Sequence, residues 1–129
     1  MIVFSVDPGH TTGTVLANVS GKEVQVLGTA ALPLSSNIHI PPHAKELVIE
    51  ELPEVGSSAE HRPVHQKLLS EATLRRLPIF EYKPSEWKFM RKRFESLPAV
   101  SGLETQHERD ALMMLLAHVT RKEGGVHVR

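Results

Sequence analysis

Residues 1–13 read MIVFSVDPGHTTG, and the reading of this stretch decides the fold. Ile2, Val3, Phe4 and Val6 form a short apolar run that stops at Asp7-Pro8-Gly9, the pattern of a strand ended by a turn. Downstream, residues 11–19 are rich in β-branched side chains, and Gly21-Lys22 closes a hairpin into a third strand over residues 23–31. The chain therefore opens as a three-stranded antiparallel meander. Pro33, Pro41 and Pro42 deny residues 32–43 a regular helix, because proline lacks the amide proton and clashes with the preceding turn. Residues 46–52 (ELVIEEL) read as a fourth strand broken by Pro53; its apolar residues run together without clean alternation, as in an interior strand.

Beyond a loop at Gly56-Ser57-Ser58, with Ser58 a candidate helix cap, Leu68, Leu69, Ala72 and Leu77 fall near helical spacing. They predict a helix over about 64–77 that Pro78 stops. Residues 79–82 form a fifth strand, Pro84 starts a helix running to about Phe94, and residues 96–102 are a loop. The longest helix spans residues 104–122, with Ala111, Met114, Leu115 and His118 on one face and Gly124-Gly125 at its end. The order β-β-β-β-α-β-α-α predicts one domain over residues 1–129, of the α/β (mixed α+β) class. Its five-stranded mixed sheet, three antiparallel strands followed by β-α-β, is flanked by helices.

Composition narrows the chemistry. With 129 residues and 40% hydrophobic positions there is enough chain for one core. No apolar run approaches the roughly 18 residues of a membrane span, and the start has no basic region before its acid at position 7, unlike a signal peptide. The absence of cysteine removes disulfides and thiolate metal sites, leaves carboxylates and histidines as the strong ligands, and fits a reducing, cytoplasmic setting. Net charge is zero but unevenly spread. Residues 1–60 carry seven acids and two bases, and residues 61–129 carry eight acids and thirteen bases. An acidic half beside a basic half suits a metal-dependent enzyme acting on a polyanion, and equally suits ordinary scatter.

Three acids stand out by position. Asp7 ends the first strand, where it serves a turn as readily as a reaction. Glu50 follows three apolar residues in a strand, a place where carboxylates are rare unless paired or metal-bound. Strand register decides whether it or Glu51 faces a site. Asp110 lies in the first turns of the last helix, where the helix dipole favours an acid in any case. If strands one and four are neighbours and the last helix packs on them, the three meet. Clustered carboxylates repel unless a divalent cation neutralises them, and oxygen-rich sites suit Mg²⁺ or Mn²⁺. His107 precedes Asp110 by one helical turn, so both share a face; it can ligate, carry a proton, or simply face water.

Taken in order, these segments resemble the RNase H-like superfamily and, within it, the RuvC-type Holliday-junction resolvases. Residues 3–13 (VFSVDPGHTTG) resemble that family's first strand and acid-bearing turn. Val48-Ile49-Glu50 resembles its fourth strand with the catalytic Glu, and residues 82–88 (YKPSEWK) its Y-x-P-x-x-x-K segment. His107-Glu108-Arg109-Asp110-Ala111-Leu112 resembles the last helix, where a D/H-x-x-D-A-L pattern supplies the remaining ligands. The chain departs from cellular members in the proline-bearing segment between Glu23 and Lys45. It departs again between Lys88 and Asp110, which is too short for their Gly-rich loop and extra helix; in both it is similar to compact bacteriophage versions.

The resemblance implies a homodimeric, structure-selective endonuclease on branched DNA. In it Asp7, Glu50, His107 and Asp110 hold two Mg²⁺ ions, with Mn²⁺ as a substitute, for phosphodiester hydrolysis. A YqgF-like nuclease acting on RNA and a catalytically silent branched-DNA-binding module are the alternatives. The basic run Lys83, Lys88, Arg91, Lys92 and Arg93, interleaved with Trp87 and Phe89, is the candidate DNA-backbone surface, or else a solvated helix face. As a helix it would bury Trp87, Met90 and Phe94. The start is also similar to that of actin-type ATPases, which share the fold but need a second domain for which 129 residues leave no room.

Overall fold

In strand β1 (Ile2–Asp7) successive side chains alternate between two packed layers. Val3 joins a core under the C-terminal helix, and Ser5 donates from its hydroxyl to the Ala111 carbonyl of that helix at 2.7 Å. Phe4 and Val6 join a second core on the opposite face. The computed structural model describes residues 1–33, 37–52 and 62–129; the Ser58 cap lies outside them.

β1 pairs antiparallel with β2 (Thr11–Ser20), which pairs antiparallel with β3 (Glu23–Pro33), confirming the meander. β4 (Glu46–Glu50) lies parallel on the other side of β1, and β5 (Ile79–Tyr82) parallel beyond β4. Among the described residues the sheet has six strands, not five, in the order β5-β4-β1-β2-β3-β6. The added β6 (His127–Val128) pairs parallel with the start of β3; two residues are too few to carry a periodic signal.

Helix α1 (Arg62–Leu74) packs Leu68 and Ala72 against Phe4, Val6, Leu47 and Ile49 on one face. It closes with Arg76 in the left-handed region (φ 56°), while the Leu77 amide reaches back to the Ala72 carbonyl at 2.9 Å. The expected helix over 84–94 is instead three short pieces: α2 (Pro84–Trp87), a 3₁₀ turn (Lys88–Met90) and α3 (Arg91–Phe94). The break falls at Trp87, whose φ of −129° leaves the helical region. Its inward face is as expected, with Trp87, Met90 and Phe94 buried. The expected loop over 96–102 contains a single turn, α4 (Pro98–Ser101), started by a proline at its first position.

Helix α5 (Gln106–Glu123) is buried along most of its length against the Val3/Val48 face of the sheet. Thr105 caps it, accepting from the Glu108 amide at 3.2 Å and donating to the Glu108 carboxylate at 2.8 Å. Thr29 of β3 donates to the same carboxylate, which ties the helix start to the sheet and holds Glu108 below the usual carboxylate range. Gly124, at φ 78°, ends the helix. Among the described residues no helix is long and apolar enough to cross a membrane.

Candidate active site

Strand parity puts the acids on one face. In β4, Val48 packs under α5 while Leu47 and Ile49 face α1, so Glu50 points to the α5 side with Val48. In β1, Asp7 shares the face of Val3 and Ser5 for the same reason. The parallel register pairs Val6 with Ile49, so Asp7 and Glu50 are neighbours at the C-terminal ends of adjacent strands. This answers the register question in favour of Glu50. Glu51 lies one residue on, and its charge acts on His65 of α1.

Asp110 reaches the same place because α5 starts unusually close to the sheet. Gly13, the β2 partner of Asp7, packs against the His107 backbone; a Cβ built on it would lie 1.9 Å from the His107 carbonyl oxygen. Any larger residue would push the first turn of α5, and Asp110 with it, off the strand ends.

The three carboxylates act on one another. Asp7 is pushed up to about 8, first by burial and then by the charges of Glu50 and Asp110, with Lys88 and Arg91 pulling the other way. Glu50 is also raised by burial, against a hydrogen bond at 2.8 Å from the Trp87 indole N–H. Asp110 is held differently: Arg91 Nη2 donates to both of its oxygens, at 3.0 and 3.1 Å, and Gln106 Nε2 donates to one at 2.7 Å.

His107 is placed beside the acids by its backbone, but its imidazole is exposed, without a hydrogen bond or ion pair among the described residues. Nor, among the described residues, do any three His, Asp or Glu side chains already stand as a ligand set. The donor chemistry nonetheless fits a hard divalent cation: three carboxylate groups lie within electrostatic reach of one another, and burial with their repulsion pushes Asp7 up to about 8.

Of the basic run, Lys83, Lys88, Lys92 and Arg93 are exposed, and Lys88 and Arg91 approach the Trp87 ring at 5.7 and 5.5 Å. The Lys83 amide is used locally, donating to Glu86 at 2.8 Å. Arg91 differs from its neighbours, since its guanidinium is turned in against Asp110.

No protein-family model matches the sequence, and no curated protein does. Solved structures do. That of RuvC from Thermus thermophilus superposes with a TM-score of 0.71 at 18% identity, covering 96% of this chain and 97% of that one. The T. thermophilus RuvC in complex with a Holliday junction substrate gives the same TM-score and coverage at 17% identity. The chain has the fold of RuvC.

Within this RuvC fold, sequence reasoning missed the residues that hold the acids. Trp87 was legible as a core residue but not as the donor to Glu50, and Gln106 carried no signal at all. Its spacing of four from Asp110 on one helix is the only clue available. His65 is buried on α1, on the opposite face of the sheet, and burial lowers its pKa.

Proposed function

We propose that the protein is a metal-dependent, structure-selective endonuclease that cleaves branched DNA of the Holliday-junction kind by two-metal phosphodiester hydrolysis. The observation that carries this reading is the meeting of Asp7, Glu50 and Asp110 at the strand ends of a RuvC fold, with Asp7 pushed up to about 8. A fold neighbour described with a Holliday junction substrate supports the choice of DNA.

Asp7, Glu50 and Asp110, with His107 beside them, would hold two Mg²⁺ ions. When bound, these supply Lewis-acid stabilisation of the attacking and leaving oxygens of an in-line displacement. The chain's own residues do the rest. Trp87 fixes the rotamer of Glu50 through its indole N–H, and Gln106 and Arg91 fix that of Asp110. Asp7 would have to be deprotonated to serve as a ligand, as carboxylate ligands are. Lys88, Lys92 and Arg93, exposed on the adjoining turn, bind the phosphate backbone and set its register. The protein acts as a homodimer, one site per cut strand.

The test is a Mg²⁺ titration with a four-way junction, a nicked duplex and an RNA hairpin in parallel. Metal-dependent cutting of the junction is expected. Cutting of the hairpin alone would make the enzyme a ribonuclease, and metal-independent binding without cutting would make it a binding module.

A further inference from the structure

The counter-charges at the three carboxylates are protein side chains, Lys88 and Arg91, and of the two Arg91 is the one hydrogen-bonded to an acid. Arg91 places one nitrogen on both oxygens of Asp110, lies 5.5 Å from the Trp87 ring, and through that indole is linked to Glu50. Its charge also acts on Asp7 and Glu50 directly. The guanidinium thus stands where a divalent cation would otherwise neutralise the cluster.

The arrangement is incompletely satisfied. Among the described residues, Arg91 Nε is buried without a hydrogen-bond partner, although guanidinium groups ordinarily use their whole fork. Arg91 also lines an open cleft of about 510 Å³ with Gln106 and Arg109, so a phosphate has a route to it from outside. A phosphate oxygen is at least as good an acceptor for this fork as a carboxylate.

From these contacts we infer that Arg91 is a positioning residue with two anions to choose between. Without DNA it braces Asp110 and competes with divalent cations for it; when DNA is bound it turns to a backbone phosphate and yields Asp110 to the cation. The inference rests on the nuclease reading above and adds a coupling: DNA and metal each tighten the binding of the other. Such coupling is reciprocal by linkage. It would keep the site weakly loaded, and so idle, until a substrate arrives.

The test measures Mn²⁺ binding, by electron paramagnetic resonance of the free ion, rather than cleavage. Wild type, Arg91→Gln and Arg91→Lys are each titrated alone and with a saturating plain duplex, after their melting temperatures show that all three fold. Without DNA, Arg91→Gln should bind Mn²⁺ about tenfold more tightly than wild type, because a positive charge beside the cation is gone. Arg91→Lys keeps that charge and should stay near wild type. Duplex should tighten Mn²⁺ binding to wild type severalfold and do markedly less for Arg91→Gln. Unchanged or weaker Mn²⁺ binding by Arg91→Gln would show Arg91 to be a brace only and overturn the inference. An equal gain from duplex in wild type and Arg91→Gln would overturn the coupling. Should none of the three proteins bind Mn²⁺, the nuclease reading fails as well, and the two failures are thereby distinguished.

Discussion

β4 and α5 face each other at two places, and the chemistry differs completely between them. At one end Glu46 meets α5, with its carboxylate 3.5 Å from His118 and 3.4 Å from Lys122. His118 is in turn 2.6 Å from the Tyr82 hydroxyl, and its ring lies tilted against Phe80 at 4.5 Å between centroids. Burial keeps its imidazole below its usual pKa, so the pair that settles the charge is Glu46 with Lys122. Two strand repeats along, Glu50 meets Asp7 and Asp110, with Arg91 hydrogen-bonded to Asp110 and the charge of Lys88 beside them. The same face of the same two elements thus carries one balanced cluster and one with acids in excess. A structural polar cluster settles its charges internally, because an unpaired buried charge costs stability. A cluster left in surplus has been kept for something that arrives from outside.

The sharpest way to break this contrast is to substitute one acid at each end. Asp7→Asn should lower cleavage by ~10³-fold or more, since a ligand worth several kcal/mol of transition-state stabilisation is lost. Glu46→Gln should cut at near wild-type rate. Single-turnover assays on a junction decide it, and a competent Asp7→Asn enzyme would remove the acids from the mechanism.

The second contrast is in pH. In the folded chain Asp7 holds its proton to about pH 8, against 3.8 for the ordinary side chain. Between these values the native state keeps a proton that the unfolded chain has released. The stability this gives is complete below about pH 4 and is lost as pH rises toward 8. Asp7→Asn escapes that loss. Its metal-free unfolding free energy should match wild type near pH 4 and exceed it increasingly up to pH 8, by an amount on the order of a few kcal/mol. A difference that stays flat with pH would show that the acids do not burden one another.

His107 sharpens the comparison from its edge. Its backbone is fixed against Gly13 while its imidazole is exposed and, among the described residues, pairs with no acid. As a ligand drawn in by a cation, its replacement by Asp should preserve more activity than its replacement by Ala, which should cost roughly tenfold. Equal rates for His107→Asp and His107→Ala would make it a bystander.

The balanced end should register in stability alone. Glu46→Gln removes the partner of Lys122 and the charge facing His118, at a cost of about 1–2 kcal/mol in denaturant unfolding. A neutral result there would mean that the cluster is no better than the apolar packing around it.

How far this contrast was legible beforehand follows from the range of each signal. The apolar run ending in Asp7-Pro8-Gly9 and the meander after it are local patterns, and they held in the structure. So did the inward face of Trp87, Met90 and Phe94. The side on which Glu50 points needed the register of β1 against β4, which no single strand encodes. The Trp87–Glu50 bond spans 37 residues and the Arg91–Asp110 fork 19; both depend on tertiary packing. For that reason Arg91 reads in the sequence like Lys92 and Arg93, although its guanidinium is turned inward. The 84–94 helix looked continuous because its burial pattern is helical, whereas its backbone breaks at Trp87.

That difference between Arg91 and its neighbours allows the finest test. Lys92 and Arg93 are exposed, and Arg93 lies 5.8 Å from the Phe94 ring. With no net charge on the chain to steer DNA, binding must come from local positive surface such as this. Each phosphate contact adds roughly 0.9 to the slope of log affinity against log salt on duplex DNA. Replacing Lys92 and Arg93 together by Gln should therefore flatten the slope by about one to two units. Single-turnover cleavage at saturating enzyme should persist, because neither residue touches an acid of the site. Binding curves across a salt series measure the change. An unaltered slope would assign the pair to a solvated face and leave Lys83 and Lys88 to hold the backbone.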